Sequence, residues 1–311
     1  YDIVFLRPLG LRLDLMRAYW EVCKASTGCD YNAAMLPENG TGTLTWTIHG
    51  TVNQGEYTNS GALNLPALSG GYIWNNGGYA WENIVVTAGT DGAAIVSNDT
   101  FDVAHSYIST GTTSTTFTGI VIDGSVYAIP KEASALTFEN CVFKGMLRAP
   151  SGNGTVKVQS CQFVGDGDGD SNDTKNEYPF FYQAGGTLEF TGNTVANNVY
   201  KRGLNVGGVE DLNATISGNT IGIVTEGYSA IQLAGGVKTA KIQENNIALK
   251  NTNAFTLHSS LLKDGAKPVV TIQQNTITGT GYLLYDDAAA TGKSFSSDKL
   301  ALTINETVPP L

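Results

Sequence analysis

Phe190–Val195 reads FTGNTV, and this stretch is one of six copies of the same short phrase. Each copy has an apolar residue, two polar-leaning residues, Asn or Cys, any residue, and a second apolar residue. The other copies are Phe138–Phe143 (FENCVF), Val158–Phe163 (VQSCQF), Ile216–Ile221 (ISGNTI), Ile242–Ile247 (IQENNI) and Ile272–Ile277 (IQQNTI). Their first residues are 20, 32, 26, 26 and 30 positions apart. A unit that returns at such intervals predicts a solenoid, in which each coil buries its apolar face against the next.

Period-two alternation predicts that Leu136 and Phe138 point inward while Thr137 and Glu139 face solvent. The Asn of each phrase is expected at the bend of the strand, because Asn tolerates left-handed backbone and can hydrogen-bond its own loop. A stacked Asn ladder that satisfies the turn backbones of successive coils is therefore predicted at Asn193, Asn219, Asn245 and Asn275.

Four cysteines form two unlike pairs. Cys141 and Cys161 occupy the ladder position in the first two copies of the phrase, and we expect them to be buried free thiols. Cys23 and Cys29 flank a short turn, where either a local disulfide or free thiols fit the spacing.

A second repeat interleaves with the first. Tyr178, Tyr200 and Tyr228 each lie seven residues before a Gly-Gly pair. Glycine pairs suit tight bends and positive φ, so each coil is predicted to have at least two strands and a tight turn. The tyrosines then form a ladder that either faces solvent or stacks in the core.

These Asn and aromatic ladders resemble the right-handed parallel β-helix of the pectate-lyase-like superfamily, which contains secreted and surface bacterial proteins. The resemblance covers roughly residues 40–305, and it implies an all-β fold, a parallel β-helix over 40–311. Residues 1–39 differ in composition, and helical spacing of apolar residues predicts an amphipathic helix at Leu11–Lys24. We interpret 1–39 as a short helical N-terminal cap, with a propeptide or foreign segment as the alternative.

The distribution of charge indicates which classes of binding partner to expect. The net charge is −10, and no Lys or Arg lies between Ala25 and Pro130, against eight carboxylates. Phosphate contacts need clustered basic residues, so nucleic acid and anionic membranes are not expected as partners. No apolar run reaches the roughly 18 residues that membrane insertion needs. The final residues, Thr307–Leu311 (TVPPL), resemble a linker into a further C-terminal domain.

An acidic insertion accounts for the longest interval between phrases. Its oxygen-bearing residues have an EF-hand-like spacing, and the candidate calcium ligands are Asp166, Asp168, Asp170 and Glu177. Calcium prefers six to eight oxygen ligands, which alternating Asp and a final Glu can supply. Ser171 replaces the Gly expected at the sixth position. A solvated acidic loop without metal is the alternative.

The resemblance also implies catalytic patterns to look for. Pectate-lyase-type elimination uses calcium-binding acids and an Arg in an RxP motif. Arg148-Ala149-Pro150 matches this three-residue motif. Polygalacturonase-type hydrolysis implies NTD, DD, GHG and RIK segments, of which only the dyad Asp286-Asp287 is present. His49, His105 and His258 have no partner motif, and Lys201-Arg202 suits either a uronate carboxylate or a solvated loop.

Sugar rings stack on aromatic faces, so an exposed tyrosine row would bind an extended glycan. We therefore predict a secreted or bacterial cell-surface domain that binds glycan or another extracellular ligand without catalysis. The candidate binding residues are Tyr178, Tyr200, Lys201, Arg202 and Tyr228. The alternatives are a polysaccharide lyase acting on uronate-containing polymers and a structural spacer of a large adhesin.

Overall fold

A computed structural model of the chain describes residues 2–5, 39–53, 72–75, 80–96, 107–109, 114–130, 132–166, 176–209, 211–225, 229–262, 267–286 and 300–305. Apart from a 3-10 turn at Ser259–Leu262, the regular structure in these ranges is β-strand. The strands are β1 (Asp2–Phe5), β2 (Asn39–Asn53), β3 (Tyr72–Asn75), β4 (Ala80–Val96), β5 (Tyr107–Ser109), β6 (Ser114–Thr118), β7 (Val121–Asp123), β8 (Val126–Ile129), β9 (Ala135–Glu139), β10 (Val142–Phe143), β11 (Leu147–Ala149), β12 (Thr155–Gln159), β13 (Gln162–Phe163), β14 (Phe180–Tyr182), β15 (Thr187–Thr191), β16 (Thr194–Val195), β17 (Leu204–Val206), β18 (Leu212–Ser217), β19 (Thr220–Ile221), β20 (Ser229–Leu233), β21 (Val237–Gln243), β22 (Asn246–Leu257), β23 (Val269–Gln273), β24 (Thr276–Asp286) and β25 (Ala301–Asn305).

The strands stack in parallel on three faces, which we name sheets A, B and C. Sheet A contains β6, β9, β12, β15, β18, β21, β23 and β25. Sheet B contains β7, β10, β13, β16 and β19, and sheet C contains β3, β5, β8, β11, β14, β17 and β20. The long strands β2, β4, β22 and β24 bend round a corner and join two faces each. The chain therefore visits A, B and C in turn, which agrees with the predicted parallel β-helix; its right-handed sense stays a prediction.

The phrase copies lie at the corner from sheet A to sheet B, and they stack in register. Val158 pairs with Phe138 in the preceding coil and with Phe190 in the following one. All three side chains are buried, whereas Lys157 and Glu189 on the outer face form an ion pair of 3.0 Å. The predicted alternation is confirmed in these strands.

One further copy of the phrase escaped the sequence pattern. Phe117–Ile122 (FTGIVI) occupies the same corner, since Phe117 pairs with Phe138 and Val121 with Val142. Ile120 stands at the ladder position and is buried. An apolar side chain fills this site one coil before Cys141, so the ladder changes from apolar to thiol to amide along the solenoid.

The ladder asparagines are buried, as predicted, but they do not supply the left-handed backbone. Positive φ falls on the residue before each ladder position: Gly119, Asn140, Ser160, Gly192, Gly218, Glu244 and Gln274. The ladder Asn lies at the bend, as predicted, but the left-handed backbone there belongs to the preceding residue. The buried amide also bridges coils, as predicted: Asn245 Nδ2 donates to the Ile216 carbonyl at 3.0 Å, and Asn245 Oδ1 accepts from the Asn219 backbone N–H at 3.0 Å.

Cys141 and Cys161 are buried free thiols, as predicted. The Cys161 Sγ donates to the Phe138 carbonyl at 3.5 Å, in the place where Asn193 Nδ2 donates to Val158 at 2.9 Å. The hydrogen bond with Cys141 and burial in the core raise the pKa of Cys161 well above its usual range. The thiols thus act as weak donors in the same ladder.

The first described strand, β1, is part of the same parallel stack of strands. β1 pairs in parallel with Thr45–Ile48 of β2. The predicted helix Leu11–Lys24 lies outside the described residues, as do Cys23 and Cys29, so a helical cap stays a prediction. Within the described ranges, no helix has the length and apolar character needed to cross a membrane.

Candidate functional site

Sheet C presents one outward row of side chains in register, with one residue from each successive coil. The row is Tyr127, Arg148, Phe181, Asn205, Gln232, Thr256 and Tyr285. Tyr127 and Thr256 are buried, each 8% exposed, and the other five side chains are partly or fully exposed. We name this row the sheet C face. Neighbouring parallel strands lie about 4.8 Å apart, so the row is roughly 29 Å long. The residues on either side of the first six members, such as Leu147 and Ala149, point into the core.

Arg148 lies between two aromatic rings in this row. Its guanidinium carbon is 5.4 Å from the Tyr127 ring centroid and 4.9 Å from that of Phe181. Its Nη2 donates to Gln183 Oε1 at 2.8 Å, and Nη1 lies 3.5 Å from the Tyr127 hydroxyl. Cation–π contacts on both faces and a hydrogen bond at one edge hold the guanidinium in a defined plane.

The stack continues sideways through residues of the predicted site. Tyr178 packs on Phe181, with ring centroids 5.0 Å apart, and the guanidinium carbon of Arg202 lies 5.3 Å from the Tyr178 centroid. Arg202 Nη1 also donates to the Tyr178 hydroxyl and pairs with Glu177 Oε1 at 3.2 Å. Two aromatic rings therefore connect Arg148 to Arg202 in one continuous arrangement.

The middle of the row is polar. Asn205 and Gln232 follow Phe181 in register and are partly exposed. Neither side chain forms a hydrogen bond with any residue that the structure describes. Each amide therefore offers a donor and an acceptor on the sheet C face. Tyr285, 43% exposed, ends the described part of the row.

Tyr200 of the predicted tyrosine ladder lies in the core, which was one of the two expected arrangements. Tyr200 is 1% exposed, and its hydroxyl accepts from the Gly165 N–H at 3.1 Å and donates to the Gly145 carbonyl at 3.2 Å. The register of β14 with β17 places Arg202, not Tyr200, beside Tyr178. The equal spacing to the Gly pairs therefore did not mean equal positions in the coil, and Tyr200 is not available to a ligand. Tyr228 lies outside the described residues.

At the predicted calcium loop, the structure describes only the two ends. Asp166 Oδ1 accepts from Asn176 Nδ2 at 2.8 Å, and Glu177 pairs with Arg202. Both described carboxylates thus have protein partners, while Asp168 and Asp170 lie outside the described residues. Calcium binding by this loop stays a prediction.

Of the remaining candidates, the structure describes the side chains of His258 and Lys201 only. His258 Nδ1 lies 2.7 Å from the Ser260 hydroxyl, which accepts from the Gly235 N–H. Asp286 ends β24, Asp287 and His105 lie outside the described residues, and His49 lies in β2. Lys201 lies beside Arg202 and is partly buried.

Sequence reasoning missed Tyr127, Phe181, Asn205 and Gln232. A signal was present, because each is the middle residue of a short triplet whose flanking residues point inward, such as Leu204-Asn205-Val206 and Ile231-Gln232-Leu233. These triplets follow the phrase at variable distance, so the spacing alone did not align them.

Compared with known proteins, the chain matches no family model, no curated protein and no solved structure.

Proposed function

We propose that the sheet C face binds an extended glycan, and that the protein works as an extracellular or bacterial cell-surface binding domain. The in-register row is the observation that supports this proposal. In it, stacked aromatic and guanidinium groups lie next to Asn205 and Gln232, whose side-chain amides form no hydrogen bond with any described residue. Sugar rings pack their apolar faces on aromatic rings, and sugar hydroxyls bond to amide groups. A row that repeats at each coil suits a ligand that also repeats.

Arg148 favours binding over elimination chemistry. A guanidinium keeps its proton, so it acts as a base only with difficulty. Here it is also held by Tyr127, Phe181 and Gln183. Such a group suits orientation of a ligand, which is why we do not assign Arg148 the role of a lyase base.

A glycan array tests the proposal. We expect the protein to bind a subset of linear glycans, with about tenfold weaker binding for Phe181→Ala and for the double change Asn205→Ala and Gln232→Ala. Gln162→Ala is the matched control, because Gln162 is an exposed amide on sheet B. Absence of binding across the array would favour the structural spacer instead.

The lyase alternative has its own measurement. Incubation with uronate polymers, followed at the absorbance of unsaturated products, would show steady product formation if the protein were a lyase. We expect no product from any polymer that the protein binds.

A further inference from the structure

The last strand of sheet A, β25, leaves inward-facing apolar side chains accessible to solvent. Ile304 pairs with Ile272 and lies in the same inward row, yet Ile304 is 37% exposed whereas Ile272 is fully buried. Leu302 pairs with the buried Val270 and is itself only partly buried. Among the residues that the structure describes, no strand pairs with the far edge of β25. The apolar core therefore reaches the surface at this end of the solenoid.

The far edge of β25 also presents backbone groups that β23 does not use. In a parallel ladder, alternate residues of a strand bond to the same neighbour, and the Ala301 N–H donates to the Pro268 carbonyl on the β23 side. The N–H and carbonyl groups of Leu302 and Ile304 therefore point away from β23. Lys, Pro and bulges usually protect such an edge from association, and β25 (ALTIN) has none of them.

The last two strands of sheet A carry no charge. β23 and β25 contain no Asp, Glu, Lys or Arg, whereas the preceding strand of the sheet, β21, contains Lys238 and Lys241. The one charged residue of β24 is Asp286, its last residue. Two copies of a chain with a net charge of −10 repel each other, and they do so least where both surfaces are neutral. The charge distribution therefore favours a second copy of this chain as the occupant of the β25 edge.

We propose that two copies of the protein associate end to end through β25, as a symmetric dimer in which sheet A continues from one molecule into the other. A two-fold axis through Thr303 makes the two β25 strands antiparallel and sets Leu302 opposite the partner's Ile304. Each such pair exchanges two backbone hydrogen bonds, and the pair occurs twice, so the far-edge groups of both strands are satisfied. The contact also covers the apolar side chains of Leu302 and Ile304 in both copies. This inference does not depend on glycan binding.

Sedimentation velocity over a range of protein concentrations tests the association. We expect a reversible equilibrium between monomer and dimer. Ile304→Lys places an ammonium group at each edge of the contact, and we expect it to raise the dissociation constant at least about tenfold. Val209→Lys is the matched control, because Val209 is an apolar side chain, 64% exposed, that lies between β17 and β18. It should leave the dissociation constant unchanged.

A cross-linking experiment tests the two-fold register and does not depend on the folding of Ile304→Lys. Facing residues of a non-hydrogen-bonded antiparallel pair lie close enough for a disulfide, so Thr303→Cys should form a covalent dimer with oxidised glutathione as the oxidant. Thr271→Cys, in the same outward row one coil earlier, should form none, as should the wild-type protein. Non-reducing gels separate the products.

The outcomes decide the proposal. A wild-type protein that stays monomeric at every concentration would overturn it, as would equal dissociation constants for Ile304→Lys and wild type. Species that grow beyond the dimer, or equal cross-linking of Thr271→Cys and Thr303→Cys, would overturn the symmetric β25 contact.

Discussion

Asn193 donates both its backbone N–H and its side-chain Nδ2–H to Oδ1 of Asn219, at 2.8 and 3.0 Å. Both residues are buried, with at most 1% exposure. Asn219 in turn donates to the Phe190 carbonyl and to Asn245 Oδ1, at 3.0 and 2.8 Å. One amide thus satisfies backbone and side-chain groups of two neighbouring coils, and the turn from sheet A to sheet B depends on it.

Replacement of Asn219 should therefore destabilise the protein strongly. Asn219→Ala removes the acceptor of the buried Asn193 backbone N–H and of one Nδ2 hydrogen, and it removes a donor to the Phe190 carbonyl. We therefore expect a loss of about 3 kcal/mol or more in the free energy of unfolding. Denaturant unfolding measures it. Asn213→Ala, at an exposed Asn on sheet A, is the control and should change stability by less than about 0.5 kcal/mol. Equal effects of the two changes would contradict the ladder's role.

Substitution of Cys161 tests whether its thiol contributes a hydrogen bond to the ladder. Cys161→Asn should stay within about 1 kcal/mol of wild type, since the amide can donate to the Phe138 carbonyl as its neighbours do. Cys161→Val is similar in size but has no donor, and we expect it to cost about 1–3 kcal/mol. Thermal unfolding of the two variants compares them. If Val is tolerated better than Asn, Cys161 serves only to fill space.

Gly186 allows no side chain at the corner between sheets C and A. It has a φ of 76°, and an added Cβ would lie 2.2 Å from the Gly154 carbonyl oxygen. Gly92 has a similar φ of 81° but open space around it. Gly92→Ala should cost about 1 kcal/mol from backbone strain alone, and Gly186→Ala at least about 2 kcal/mol more. Similar unfolding midpoints for the two variants would show that the coils can move apart.

Stability should fall at high pH because of buried phenols. Burial, with a smaller contribution from the Asp166 charge, raises the pKa of Tyr200, and burial also raises that of Tyr182. Above pH 10 the unfolded phenols lose their protons while the folded ones keep them. The free energy of unfolding should therefore decrease by about 1.4 kcal/mol per pH unit for each group.

Denaturant titrations between pH 9 and pH 11.5 measure this slope. Tyr200→Phe should reduce it, because this change removes one of the two buried phenols. A slope that is the same in wild type and Tyr200→Phe would mean that the hydroxyl of Tyr200 ionises in the folded protein.

The sequence predicted the architecture because the residues that stack coils recur. Phe138, Val158 and Phe190 stand at the same place in each phrase, and their register in sheet A is the predicted one. The turn detail was missed because local propensity favours Asn in left-handed backbone, whereas burial required the amide at the next position, between coils. Only the three-dimensional register separates these two neighbouring positions.

The candidate site was less predictable. Tyr178 and Arg202 were singled out for separate reasons, and their contact depends on the offset between β14 and β17. Loops of different length set that offset. The same difference in length places Tyr200 in the core. Phe181 and Asn205 carry no motif of their own, because a residue that faces outward from a short strand is free to vary.

Hydroxyl-radical footprinting of the protein, alone and saturated with its tightest-binding array glycan, shows whether the glycan lies on the sheet C face. Aromatic side chains react readily, and Phe181 and Tyr285 lie on the sheet C face with partial exposure, while Ile304 is an exposed residue of sheet A. We expect the glycan to lower the oxidation rate of Phe181 and Tyr285 at least about threefold and to leave that of Ile304 unchanged. Binding with Phe181 and Tyr285 unprotected would contradict it.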